Sequence, residues 1–422
     1  MTASPVPGPG SRSLSWYGDD FTGSTDVLEA LTLACVKARL FLQPPTAAEL
    51  GDVEAAGLAG TSRAMSPAEM DRSLPEAFRA LGGAPLHYKV CSTFDSSPEI
   101  GSIGRAIEIG RRVSGASWVP LVVGAPVLRR YCAFGQLFAT HEGRTHRIDR
   151  HPVMSRHPVT PMDEADLRRH LARQTGLRVE LFDVLQLEAP DVDRRFEALL
   201  LDQPDVVLFD VLRESHLETI GRLIWERRPA FLAGSSGVEY ALAAHWKSKG
   251  RPLPAPGPAE QILVLSGSCS AVTAGQIEWA LAQGYEGLRV EGDVERRARE
   301  ILRAGRNLVL YTARGPDDPS VGDARTGGAA VGERLGELGA ALLPLVRRVV
   351  VAGGDTSGRV ARRLGIRSLE MIAPLAPGSP LCRTDGGLEI ALKGGQVGRA
   401  DYFETARLGG MKPAPALCKE AT

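Results

Sequence analysis

Leu14-Ser15-Trp16-Tyr17-Gly18-Asp19-Asp20-Phe21-Thr22-Gly23-Ser24-Thr25-Asp26 sets the architecture of this chain. An apolar, strand-like run at 13–17 passes through two carboxylates and several hydroxyls into a segment of helical period at 23–33. A strand handed directly to a helix is the building unit of α/β proteins. In open α/β sheets ligands collect at the carboxyl ends of the strands, so Asp19, Asp20, Thr22 and Ser24 stand where a site would form. Capping of the helix N-terminus explains one of the acids equally well, but two adjacent acids exceed what one cap needs.

The same alternation continues along the chain from there. Further strands are expected at 36–42, 86–90, 118–123, 206–210 and 230–233, and helices at 67–81, 100–113, 165–175, 192–201, 214–226 and 237–246. The pattern is irregular between Tyr131 and Pro161, which reads as an insertion. At 247–258 the run K-S-K-G-R-P-L-P-A-P-G-P excludes regular structure and marks a boundary. Beyond it, strands are expected at 262–265, 288–290, 308–312 and 348–352, and helices at 274–283, 298–304, within 329–343 and from Ser357. A hairpin at 381–383 and 388–393 flanks T-D-G-G, and the last dozen residues read as a loose tail. The expected fold class is α/β: two α/β domains with largely parallel sheets, spanning 11–246 and 259–410, with the active site in the interdomain cleft.

Composition narrows the class of protein. The 422 residues suit two to three domains at roughly 150 residues each. Lys+Arg and Asp+Glu are both 50, so no net field draws in nucleic acid or an anionic membrane. With 43% hydrophobic and 24% charged residues, the chain falls with folded globular proteins rather than disordered ones. Its six cysteines form no C-x-x-C pair and no dense framework. The first residues lack a secretory signal pattern, and no apolar run reaches the ~20 residues that cross a bilayer. The cytoplasm is the expected address. Only seven of the 50 basic residues are lysine, so Lys89 and Lys393 stand out.

Other strand ends carry polar clusters. Lys89-Val90-Cys91-Ser92-Thr93-Phe94-Asp95-Ser96-Ser97 combines a lysine with dense hydroxyls, a set suited to a small polyhydroxylated anion. Arg129 and Arg130, after Gly124-Ala125-Pro126, offer an arginine clamp for its carboxylate or simply an exposed face. In the second block, Ser266-Gly267-Ser268-Cys269-Ser270 and Gly353-Gly354-Asp355-Thr356-Ser357-Gly358 each lie between a strand and a helix, where free N–H groups and the helix dipole favour phosphate. Lys393-Gly394-Gly395-Gln396-Val397-Gly398 adds a third glycine-rich element. None matches G-x-G-x-x-G or G-x-x-x-x-G-K-[ST]. His141, His146, His151 and His157 fall in the irregular segment at a spacing that fits no metal pair. Asp317-Asp318 reads as a turn, and Ser235-Ser236-Gly237 as a helix cap or a wall of a ligand site.

Taken together, G-D-D-F-T-G-S at 18–24, K-x-x-S-T at 89–93, G-S-S-G at 234–237, S-G-S-C-S at 266–270, G-G-D-T-S-G at 353–358 and K-G-G-Q-V-G at 393–398 resemble the four-carbon acid sugar kinase family. Order and spacing match from about Leu14 to Leu408. The resemblance implies an ATP-dependent kinase of sugar acids, with an N-terminal domain for the acid and a C-terminal domain for the nucleotide. By that resemblance, Asp19 and Asp20 correspond to the acidic pair beside the substrate hydroxyls, and Lys89 to the lysine of a K-x-D-S-T motif. Ser266, Ser268, Gly353, Gly354, Asp355, Thr356, Gly394 and Gly395 fall in segments matching the ATP-binding loops. Two departures stand out: Cys91 precedes Ser92-Thr93 where an acid is usual and no Arg-Gly follows, and Asp355 replaces a glutamate. The K-V-C-S-T-F-D-S-S form is similar to a divergent branch acting on the branched acid 3-oxo-isoapionate.

The expected reaction moves the ATP γ-phosphoryl group to a terminal hydroxyl of a small sugar acid, either a branched oxo-acid such as 3-oxo-isoapionate or a tetronate or 3-oxo-tetronate. Such transfer rests on in-line positioning and charge neutralisation. Asp20 is expected to orient and deprotonate the hydroxyl, with Asp19 as alternate. Thr22, Lys89, Ser92, Thr93 and Arg129 are expected to hold the acid. ATP and Mg2+ are the expected cofactors, with no residue set marked as metal ligands. A sugar acid is the expected partner, without nucleic acid or membrane, and a homo-oligomer is compatible with the sequence. A non-catalytic sugar-acid sensor and an NAD-dependent oxidoreductase are the competing readings.

Overall fold

Leu14–Gly18 (β1) is buried along its whole length, as expected of a strand covered by helices on both faces. The structure is a computed structural model describing residues 12–51, 53–246, 256–319 and 324–410. Most of the Pro-rich boundary at 247–258, Cys418 and the C-terminal tail lie outside the described residues. The described chain divides into two units. The first runs to Ala38 and resumes at Gln43, and the second takes Arg39–Leu42 together with the chain beyond the boundary.

In chain order the strands after β1 are β2 (Ala38–Phe41), β3 (Ala55–Ala59), β4 (Leu86–Lys89), β5 (Val119–Val122), β6 (Arg130–Ala133), β7 (Gln136–His141), β8 (Arg144–Arg147), β9 (Val179–Phe182), β10 (Val206–Phe209) and β11 (Phe231–Gly234). The first unit is a parallel sheet in the order β3-β1-β4-β11-β5-β10-β9. Helices between the strands cover it, including Phe21–Leu33, Pro67–Ala80 and Ile103–Ser114. Their ends follow local chemistry. Ser66 and Glu69 form a reciprocal capping box ahead of Pro67, and Gly115 closes Ile103–Ser114 in the left-handed region at φ +71°. Phe182, Phe196 and Phe209 pack ring to ring at 5.1–5.9 Å under the sheet.

Two first-unit segments differ from the sequence expectation. Strand Ala55–Ala59 is absent from the sequence expectation because its side chains are small, and the structure shows why they are. A Cβ on Gly57 would stand 2.0 Å from the Trp16 indole, and one on Gly60, just past the strand, 2.1 Å from the Tyr17 ring. The segment after Tyr131 is not irregular throughout. Strands β6, β7 and β8 form a separate antiparallel sheet. Its turns are Phe134-Gly135 and Glu142-Gly143, all four residues at positive φ. That is the two-residue hairpin geometry usually signalled by Asn-Gly or Asp-Gly, which neither of these turns carries.

The second unit adds β12 (Ile262–Ser266), β13 (Glu286–Arg289), β14 (Leu308–Tyr311), β15 (Arg348–Ala352), β16 (Ser368–Ala376), β17 (Ser379–Thr384) and β18 (Glu389–Lys393). β13-β14-β12-β15-β18 run parallel, followed by antiparallel β17 and β16 and then β2. The expected hairpin around T-D-G-G is β17–β18. Strand β16 escapes sequence reading because Pro374 and two register shifts interrupt its alternation. Arg348 is fully buried, yet its donors are met by Glu389 and by the carbonyls of Ala406, Arg407 and Gly257. Such full satisfaction is the condition for a tolerable buried ion pair.

Candidate functional site

The ends of β1 and β4 bring the first cluster together. Asp19 N–H donates to the Lys89 carbonyl at 2.9 Å, and Arg63 N–H to the Asp19 carbonyl at 3.0 Å. Three passages, Asp19-Asp20 after β1, Arg63 after β3 and Lys89 at the end of β4, therefore meet at one place. Arg63 spans both acids. Its Nε and Nη2 reach Asp19 Oδ2 and Oδ1 at 3.1 and 2.9 Å, and its Nη1 reaches Asp20 Oδ2 at 2.8 Å. Asp20 also caps helix Phe21–Leu33, its Oδ1 accepting from Gly23 N–H at 2.6 Å. Capping and candidate chemistry thus coincide in one side chain.

The two carboxylates differ in access. The Asp19 side chain is 6% exposed and that of Asp20 is 26% exposed, so Asp20 is the one an incoming hydroxyl can touch. Burial pushes the Asp19 carboxyl up to about 6 against the pull of Arg63, with the neighbouring Asp20 charge adding to the rise. Lys89 is buried, with its Nζ 3.2 Å from Asp26 Oδ2. Asp26 holds its ammonium above the usual lysine value despite burial. The charge expected to be free for a substrate carboxylate is therefore engaged within the protein.

Around the corner of β4, Phe94 is buried at φ +59°, a conformation that bulky residues rarely hold and that clusters at functional sites. The turn places Thr93 Oγ1 at 2.5 Å from Asp95 Oδ1 and 2.9 Å from Cys91 Sγ. Ser92 is half-buried beside them, and Thr22 is half-buried on the first turn of its helix. Arg129 is exposed, with φ +55°; the structure does not bring it to this cluster. Ser235 Oγ bonds Val123 O at 2.7 Å and accepts from Gly237 N–H, whereas the buried Ser236 Oγ has no partner. Arg63 went unmarked in the sequence because the strand that positions it is built from small residues. His141 and His146 pack against His151, whose Nδ1 accepts from the N–H groups of Val153 and Met154.

In the second unit the three glycine-bearing turns converge. Gly353 N–H donates to the Lys393 carbonyl at 2.9 Å, and Gly267 N–H to the Ala352 carbonyl at 3.0 Å. Ser270 and Thr273 hydroxyls both donate to the Gly395 carbonyl, at 2.5 and 2.8 Å. A Cβ on Gly267 would lie 2.3 Å from Thr356 Oγ1, and one on Gly395 2.7 Å from Ser268 Oγ. Helix Gly354–Arg363 opens with no side-chain cap, which leaves its first N–H groups for a ligand. Gly354 and Asp355 are exposed there, while Thr356 is buried. Ser266 Oγ is buried without a partner at the end of β12. An orphaned hydroxyl, tight backbone turns and an open helix start fit a nucleotide phosphate chain.

Lys393 lies beneath these turns, fully buried, its Nζ donating to Thr273 Oγ1 at 3.0 Å. Burial alone pulls its ammonium down to about 7. An unfolded lysine keeps its proton to about 10.4, so between the two values the unfolded chain holds more protons and stability rises with pH. Phosphate beside the loops would restore the proton. ADP binding at about pH 8 is therefore expected to take up protons, read by calorimetry in buffers of different ionisation heat, and Lys393→Met should abolish the uptake. Gly353 sits at φ +122° with its would-be Cβ 2.9 Å from Thr356 Oγ1. Gly353→Ala should cost about 1–3 kcal/mol in stability and raise KM for ATP while leaving KM for the acid unchanged, which steady-state kinetics would show.

Comparison with known proteins identifies the family. A sugar-binding N-terminal domain model matches residues 14–242, and a nucleotide-binding C-terminal domain model matches residues 263–403. The chain belongs to the four-carbon acid sugar kinase family. It is 49% identical to 3-oxo-isoapionate kinase from Paraburkholderia graminis, covering 95% of each chain. It is 32% identical to 3-oxo-tetronate kinase from Methylobacterium radiotolerans, covering 94% of this chain and 99% of that one. Among solved structures, a Salmonella typhimurium LT2 protein named a tRNA synthase is similar at TM-score 0.79 and 26% identity, over 94% of this chain and 98% of that one. Membership makes the chain a phosphotransferase acting on a hydroxyl, in place of the sensor and oxidoreductase readings. No helix among the described residues is long and apolar enough to cross a membrane.

Proposed function

We propose that this kinase phosphorylates a terminal hydroxyl of a branched oxo-acid of the 3-oxo-isoapionate type, giving 3-oxo-isoapionate 4-phosphate. The supporting observation from geometry is the convergence of three glycine-bearing turns over Lys393, in a chain whose other unit holds paired carboxylates at its strand ends. The choice of acid leans on the 49% identity to 3-oxo-isoapionate kinase. Four-carbon 3-oxo-tetronates, the acids named for relatives at 30% and 32% identity, are the second reading. In this reading residues 11–246 bind the acid, residues 259–410 bind the nucleotide, and the enzyme works in the cytoplasm.

The roles follow from placement. Asp20 accepts the proton of the attacking hydroxyl, and the Arg63 fork holds both carboxylates in one orientation. The amides of Gly354, Gly394 and Gly395, in turns that Gly353 shapes, and the hydroxyls of Ser266, Ser268 and Thr356 hold the phosphates, with Lys393 as the charge beneath them. ATP supplies the phosphoryl group, and Mg2+ supplies neutralising charge. Among the described residues no group of three or more His, Cys, Asp or Glu side chains is placed to hold a metal. Mg2+ is ordinarily carried by phosphates and water with one or two protein carboxylates, and Asp355, exposed on the first turn of helix Gly354–Arg363, is suited to be one.

The test is ADP release over a panel of tetronates, 3-oxo-tetronates and branched oxo-acids. The highest kcat/KM is expected on the branched oxo-acid. A higher value on a 3-oxo-tetronate selects the second reading, and ADP release from none of them removes both.

A further inference from the structure

Lys89 is committed to Asp26, Arg63 to Asp19 and Asp20, and Arg129 is exposed. An acid substrate therefore needs a different cation. The antiparallel sheet of the first unit supplies one. Ala125 and Arg130 pair back to back after β5, and Cys132 pairs with Val211 after β10. Those bridges lay β6 across the carboxyl ends of the parallel strands, the end where Asp20 and Lys89 also lie. Side chains alternate along a strand, so Arg130 shares the face of the fully buried Cys132.

Arg130 has an incomplete set of partners. Its Nη1 is held by carbonyls of Leu128, Arg129 and Thr140 at 3.0, 3.2 and 3.5 Å, which orients the guanidinium. Its Nε is buried with no hydrogen-bond partner. No Asp or Glu among the described residues pairs with it, and burial pulls its pKa down, opposed only by the Cys91 thiol at the end of β4. Its other titratable neighbour is His151, whose imidazole it also holds down. A desolvated guanidinium with a buried, unpaired Nε and no counter-charge, on the side of the sheet where the strand ends carry the acids, is what a carboxylate ligand completes.

We propose that Arg130 is the receptor for the substrate carboxylate and sets the preference for acids over neutral sugars; this rests on the sugar-acid kinase reading. Asp20 follows β1 and Arg130 follows β5, separated in the sheet by β4 and β11. Three strand spacings of about 4.8 Å separate β1 from β5. The arginine stem, two hydrogen bonds of about 3 Å and a short carbon chain fill that gap. Cys91 then faces the middle of the bound acid.

The experiment compares Arg130→Gln with Arg144→Gln, an exposed arginine on the same small sheet, using an acid that the wild-type enzyme phosphorylates and its carboxamide. Arg130→Gln is expected to raise KM for the acid about 10- to 100-fold with a smaller change in kcat, to erase the preference for acid over carboxamide, and to leave ADP binding unchanged. Arg144→Gln should retain the preference. A folded Arg130→Gln enzyme that still prefers the acid overturns the proposal. If Arg130→Gln fails to fold, Arg130→Lys replaces it. Retained charge without the fork should weaken the preference, and a preference equal to wild type overturns the proposal. A wild-type enzyme that phosphorylates no acid of the panel overturns the kinase reading and this inference together, whereas phosphorylation with an unchanged preference in Arg130→Gln overturns this inference alone.

Discussion

Asp20→Asn should lower turnover by about 10²- to 10⁴-fold, the range that loss of a positioned base produces, while nucleotide binding stays as in wild type. The substitution separates the two jobs of this side chain. Asparagine caps a helix as well as aspartate, so Gly23 N–H keeps an acceptor and helix Phe21–Leu33 keeps its start. What disappears is the carboxylate that pairs with Arg63 Nη1 and receives the proton. The measurements are kcat from ADP release, ADP affinity by calorimetry and the melting temperature. Near-normal turnover in a folded variant would transfer the role to Asp19. Asp19→Asn should behave differently, because Asp19 is the more buried acid and holds Arg63 through two bonds. Its loss should lower the melting temperature as well as the rate.

Arg63→Met should destabilise the first unit by about 3 kcal/mol, the lower end of the range for breaking a buried pair, because Arg63 and Asp20 are partly exposed. It should also remove activity, since nothing then holds the two carboxylates in register. The deficit has a pH signature. With Arg63 present the Asp19 carboxyl already stands at about 6, and without it the carboxyl rises further. A carboxyl whose folded pKa exceeds its unfolded value keeps its proton longer in the folded state, so its contribution to stability falls as pH rises through the folded pKa. The variant should therefore approach wild-type stability at about pH 5 and fall furthest below it at about pH 8. Urea unfolding at both values reads this directly, and a deficit independent of pH would assign Arg63 a packing role only.

The fold was legible where strands were apolar and continuous and where turns carried their usual residues. Strands β5, β10, β12 and β15 are buried throughout, and burial on both faces writes a largely apolar run into the sequence. Strand β3 was not legible, because its small residues exist to admit the Trp16 indole, a contact made 41 residues away in the chain. With β3 hidden, Arg63 lay in what reads as loop. The small sheet β6–β8 was hidden by turns whose first residues are Phe134 and Glu142, since nothing local announces that such residues take positive φ.

The candidate site divides along the same line. Asp19, Asp20 and the three glycine-bearing segments were visible in the sequence because their chemistry is local: strand, small or acidic residues, helix. Family membership and the two-domain plan follow from those local signals and their order. Which charge faces which was decided only by tertiary structure. Lys89 looks like a free cation until Asp26 is placed 3.2 Å from it, and Arg129 and Arg130 are indistinguishable until β6 turns one into the protein and leaves the other exposed. Residue type fixes the charge a side chain carries. Pairing and desolvation, set by segments distant in the chain, fix whether that charge is free to meet a substrate.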